Sequence, residues 1–173
     1  MWFRRNSAPE DIRRALDVKP GERVLAAAAL ADGSWAVATT SELAVATEEN
    51  ESRPADVQLR RPWCDVDRAS FDPERSVLIV EWVDAEPDLR LNLTDPARTA
   101  FPQVLRERVQ WSVVLAEVIS LPNGREAKVA VRRTTDGVLF SQAIAGPGVD
   151  LDDSAVTAVV DAAEARVRSA AGM

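Results

Sequence analysis

The sequence predicts an α+β fold that is mostly antiparallel β: a bent sheet or barrel with a capping helix, then a β-meander and a C-terminal amphipathic helix. Two patterns carry the β assignment. Short runs of β-branched and apolar residues recur along the chain, and turn dipeptides such as Asp32-Gly33 and Asp136-Gly137 stand between them. A third pattern carries the last helix, because Val156, Val159, Val160, Ala163 and Val167 fall on one face at helical spacing.

Element by element, Ser7 and Glu10 fit a capping box, and with Pro9 in the first turn they predict a helix over 9–16 whose Ile12 and Leu16 face the core. Lys19-Pro20-Gly21-Glu22 punctuates the chain before a strand over 24–30. Asp32-Gly33 turns that strand into 35–39, and Thr40-Ser41-Glu42 turns the next into 43–47, giving a first meander. The acidic stretch 48–56 is expected to be a solvated, mobile loop. A long bent strand is expected from Val57 to Ala69, interrupted by Pro62, which cannot donate to a ladder. Asp72-Pro73-Glu74-Arg75 is a turn, followed by strands over 76–83 and 89–93, the latter alternating Leu89, Leu91 and Leu93 with polar residues. Thr94 or Asp95 is expected to cap one turn at Pro96, with a second helix over 102–110. Strands over 113–121, 128–133 and 138–144 form the second meander, and Asp152 or Asp153 caps the final helix. The expected organisation is an N-terminal segment over 1–19, a β-rich part over 20–112 and a hairpin, meander and helix over 113–173, packed as one body.

A chain of 173 residues is long enough for a core without disulfide staples, and its 46% hydrophobic and 28% charged residues are ordinary globular usage. Cys64 is the one cysteine, so no internal disulfide forms, and a cytoplasmic location is expected. Residues 1–5 lead into no apolar run of signal-peptide length, and 24–31 is far too short to span a bilayer. A net charge of −7 argues against nucleic acid as a partner, because phosphate affinity rests on surplus lysine and arginine. The preference for arginine over lysine, together with abundant alanine and valine, suggests a GC-rich bacterial genome.

Pro62-Trp63-Cys64-Asp65-Val66-Asp67-Arg68-Ala69, the strand at Val77-Leu78-Ile79-Val80, and the strand and helix that follow resemble bacterial PH-like domains over residues 20–112. The resemblance lies in the order of elements. It implies a seven-stranded, strongly bent sheet closed at one end by a helix, whereas six strands are counted here up to Leu93. A basic phosphoinositide pocket is not implied, since the turn between the first two strands offers only Ala31, Asp32, Gly33 and Ser34.

The chain has no histidine, which removes Ser-His-Asp and Cys-His hydrolases and makes a zinc site unexpected. Asp150-Leu151-Asp152-Asp153 is the densest carboxylate cluster, but its place before a helix reads as capping. Asp65 and Asp67 alternate on the expected strand as solvent-face carboxylates, and Cys64 beside them reads as a buried, inert thiol. Most of the five tryptophans are expected in the core. The exception is Trp2, which with Phe3, Arg4, Arg5, Arg13 and Arg14 forms a candidate contact for a protein partner or an anionic membrane surface. Arg132 and Arg133 read either as a solvated strand end or as an anion contact. No catalytic residue, cofactor or metal is expected, and the leading reading is a non-enzymatic binding or scaffolding module with a protein partner. Peripheral membrane attachment through residues 2–14 is the first alternative, and a divalent-metal enzyme around Asp150 to Asp153 is the second. An edge strand left unpaired near Pro62 or in the C-terminal hairpin would suit a two-fold homodimer.

Overall fold

The computed structural model describes residues 7–173, which form three antiparallel sheets and three α-helices, with no closed barrel among the described residues. Two units are distinguished. The first holds the described residues up to Trp82 together with Glu86–Gln110, and the second holds Val83–Ala85 and Trp111–Met173. No described helix is long and apolar enough to cross a membrane.

In the first unit, α1 (Glu10–Leu16) is followed by β1 (Val24–Ala29), β2 (Ser34–Thr39), β3 (Glu42–Thr47) and β4 (Asp56–Pro62), which form one sheet in chain order. The β1–β2 turn follows from its chemistry: Gly33 takes a left-handed φ of 83°, and Asp32 accepts hydrogen bonds from the Ser34 amide at 2.9 Å and hydroxyl at 2.6 Å. Both faces of β2 and β3 are buried. Ala36, Ala38, Leu43 and Val45 join the main core, while Val37, Ala44 and Ala46 lie with Ala27 beneath Ile12 and Leu16 of α1. Helix α1 departs from the expected capping box, since Pro9 occupies the N-cap and no side chain caps it. The 48–55 segment is tied down on its first residues: the Glu49 amide donates to Asp11 Oδ2 at 2.7 Å, and Trp35 Nε1 donates to Glu48 at 2.6 Å.

The expected long strand through Pro62 is instead two strands in two sheets. Pro62 ends β4, Trp63–Asp65 forms one 3-10 turn, and β5 (Val66–Asp72) opens a second sheet with β6 (Val77–Trp82) and β7 (Leu89–Asn92). The break is fixed by Trp63, which is 1% exposed and whose Nε1 donates to the Thr39 carbonyl at 3.0 Å. Strand ends from the two sheets meet where Leu30 bridges Leu93 and the Ala31 amide donates to the Asn92 carbonyl at 2.9 Å. A 3-10 turn over Pro96–Arg98 precedes α2 (Phe101–Ser112), whose Phe101, Leu105 and Val109 complete the main core over Val66, Leu78, Val80, Trp82 and Leu91. Asp95 holds the N-cap position of the 3-10 turn, as expected, though its side chain makes no capping hydrogen bond, and Thr99 serves the start of α2. Its hydroxyl donates to the Ala27 carbonyl at 2.7 Å and accepts the Phe101 amide at 3.0 Å.

The second unit is a meander of β8 (Val113–Ser120), β9 (Glu126–Arg133) and β10 (Leu139–Ala145), in the order β10-β9-β8, covered by α3 (Ser154–Ala170). Val156, Val160, Ala163 and Val167 of α3 pack on Ile119, Ala127, Val129 and Val131, with Val159 only half-buried at the margin. Asp153 caps α3 by accepting the Ala155 amide at 2.9 Å.

Candidate functional site

A groove of about 740 Å³ lies in the first unit, formed where α1 runs into β1 and lined mostly by charged side chains. Helical spacing builds one wall. Glu10, Arg13, Arg14 and Asp17 recur at i, i+3, i+4 and i+7, so they form a polar stripe while Ile12 and Leu16 are drawn onto the alanine face of the sheet. Asp17 ends the helix in the left-handed region, with φ 45° and its amide donating to the Arg14 carbonyl at 3.1 Å. The chain then returns through Val18 to Glu22, Arg23 and Val24, which form the other wall.

Long-range contacts hold both walls. The Thr39 hydroxyl donates to Glu22 Oε1 at 2.6 Å, the Ser41 hydroxyl donates to the same oxygen, and the Arg23 and Thr40 backbones are joined by the Thr40 amide at 2.9 Å. Arg60 Nη1 donates to the Leu16 carbonyl at 3.0 Å, placing a cation at the C-terminal end of α1, where the helix dipole favours one. Its hydrogen bond to Glu42 holds the Arg60 guanidinium above its ordinary pKa. Asp11, beside the groove stripe, is held below the usual carboxylate range chiefly by the Glu49 amide. The groove therefore sets three guanidinium groups, on Arg13, Arg14 and Arg23, against three carboxylates, on Glu10, Asp17 and Glu22. Such a surface suits a ligand with charges of both signs and builds no one-signed field.

Of the expected contact residues, the structure brings Arg13 and Arg14 together in this groove, while Trp2, Phe3, Arg4 and Arg5 lie outside the described residues. Arg132 and Arg133 belong to the second unit. Arg132 is 1% exposed and donates to the Ser112 hydroxyl at 3.4 Å, so it is not a solvated strand end. Arg133 is half-buried, with its guanidinium 5.2 Å from the centre of the Trp111 ring. Trp63 and Trp82 are core residues, whereas Trp35 and Trp111 are half-buried.

The carboxylate readings resolve differently. Asp65 sits in the 3-10 turn, where Arg61 Nε donates to it at 3.1 Å, so it does not alternate with Asp67 on a strand. Cys64 is half-buried, not fully buried, because the same turn lifts it out of a strand register. Asp150 accepts the Asp152 amide at 3.0 Å and Asp153 caps α3, and among the described residues no three carboxylate or thiol groups are placed to hold a metal ion.

Sequence reasoning reached half of the groove. The stripe on α1 could have been extended from Arg13 and Arg14 to Glu10 and Asp17 by spacing alone. Glu22 and Arg23 carried no local signal, since Thr39 and Ser41, far along the chain, hold that wall. No family model, no curated protein and no solved structure matches the chain.

Proposed function

We propose that this chain is a cytoplasmic, bacterial, non-catalytic binding module, PH-like in its first unit, that takes a protein segment bearing both acidic and basic side chains in the groove between α1 and β1. The observation that carries the reading is the presence of three arginines and three carboxylates around one groove. Electrostatic complementarity of that kind selects a partner by its charge pattern. Seven strands in sheets of four and three, followed by a helix, support the PH-like part of the reading. The absence of histidine from the whole sequence supports the non-catalytic part.

A membrane surface is the competing occupant, since Arg13 and Arg14 are exposed. The balance of charge in the groove favours a protein, because anionic lipid attracts a surplus of basic residues and is repelled by Glu10, Asp17 and Glu22. The test is a native pull-down of the tagged full chain from its source cells, run beside cosedimentation with phosphatidylglycerol vesicles, for wild type and the double variant Arg13→Glu/Arg14→Glu. A stoichiometric protein companion kept by wild type and lost from the variant, with an unchanged melting temperature, is expected. Vesicle binding lost in the same variant would overturn the reading in favour of a membrane. A companion held equally by both forms would remove the groove from the interaction.

A further inference from the structure

The second unit carries a feature independent of the groove. Each outer strand of the first unit is guarded against pairing with another chain. The outer carbonyls of β1 at Ala27 and Ala29 accept the Thr99 hydroxyl and the Thr94 amide at 2.7 and 3.0 Å. Strand β4 bears Asp56, Arg60, Arg61 and Pro62, β5 bears Asp67, Arg68 and Asp72, and β7 has only four residues. Charges, proline and short length are the usual protections of a sheet edge. Strand β8 is the least protected of the outer strands that expose apolar side chains. It is eight residues long, its ladder among the described residues runs to β9 alone, and Glu117 is its single charged residue. That carboxylate is matched by Arg166 of α3 at 2.7 Å. The same strand carries Val118, 63% exposed, and Val114, 37% exposed. Strand β10 is also an outer strand without charges, but it exposes no large apolar side chain, so β8 is the edge that gains from being covered.

We infer that β8 pairs antiparallel with β8 of a second copy of this chain about a two-fold axis at Ala116, joining two three-stranded sheets into one of six strands. The register follows from charge together with the two exposed valines. Directly opposed residues share a face, so the two-fold passes through one residue of each copy. An axis at Glu117 would set two carboxylates directly opposite, which destabilises a strand pair. An axis at Ala116 sets Val114 against Val118 of the copy, twice, and Glu117 against Leu115. The exposed valines then form one apolar cluster flanking the axis. A closed two-fold contact of this kind also uses up the edge, so that it does not propagate through β8 into a filament.

The test measures solution mass by light scattering over a concentration series, with the chain mass of 18.8 kDa as reference. Wild type is expected at twice that mass and Val118→Lys at the monomer mass with unchanged circular dichroism, since the side chain is exposed. Register is read separately in a Cys64→Ser background: Ala116→Cys is expected to give a covalent dimer with a short bis-maleimide, and Ala145→Cys on β10 is not. A wild type that stays monomeric, a dimer that survives Val118→Lys, or cross-linking through Ala145→Cys but not Ala116→Cys would each overturn the inference. A monomer that binds a foreign chain only while Val118 is intact would overturn it in favour of strand addition by that partner.

Discussion

Replacing Trp63 with phenylalanine tests how the first unit is held at the passage between its two sheets. The indole is 1% exposed and its Nε1 donates at 3.0 Å to the carbonyl of Thr39, itself 1% exposed, so no solvent stands ready to replace the donor. Removing one partner of a buried hydrogen bond costs about 1–3 kcal/mol. The smaller ring leaves a void lined by core side chains, which adds about 1 kcal/mol. A loss of about 2–4 kcal/mol is therefore expected for Trp63→Phe. Trp82→Phe is the internal comparison: Trp82 Nε1 donates at 3.1 Å to the carbonyl of Pro87, an exposed residue that water can reach. Its loss is expected to be about 1–2 kcal/mol. Equilibrium urea denaturation followed by far-ultraviolet circular dichroism gives both values. A Trp63→Phe loss below about 1 kcal/mol, or a larger loss at Trp82, would refute the idea that this buried indole donor fixes the strand break.

In the second unit, Asp153→Ala removes the acceptor for the Ala155 amide and should cost about 1 kcal/mol in the same denaturation experiment, with Asp153→Asn recovering most of it. Asp32 is held below the ordinary carboxylate value by the Ser34 hydroxyl and then by the Ser34 amide. Its ionised form therefore stabilises the fold at neutral pH, and that contribution is lost as the pH falls below about 4. The urea midpoint should drop less between pH ~7 and ~3 in Asp32→Asn than in wild type, and an equal drop would rule the Asp32 contribution out.

Local chemistry made most strands legible. Gly33 and Gly137, with φ of 83° and 88°, stand at the turns where the Asp-Gly signals lie, and the valine stripe of α3 needed only its own spacing. Features decided at a distance were not legible. The rupture after Pro62 depends on Trp63 reaching Thr39 across 24 positions, and the start of α2 depends on Thr99 reaching the Ala27 carbonyl across 72. Arg132 misled for a related reason: a charged residue near a strand end is ordinarily solvated, yet here a hydroxyl partner and 1% exposure mark it as interior. Within the groove, the wall made by one helix was readable, and the wall made by a returning chain was not.

Helix α1 rests on small residues. Beneath Ile12 and Leu16 lie Ala27, Ala44 and Ala46 with Val37, and Ile12 and Leu16 are the only fully buried side chains of the helix, so its docking rests on two residues. Seven residues are also too few for a helix to persist unaided, since isolated helices become stable only near 12–15 residues. Its amides should exchange with solvent by local opening at a free energy well below that of global unfolding. A ligand that spans the α1 stripe and the Glu22–Val24 wall binds only the docked form, so occupancy and helix order are one linked equilibrium. Deuterium uptake at Arg13 to Asp17 then reports on binding directly, even for a partner whose own chemistry gives no signal.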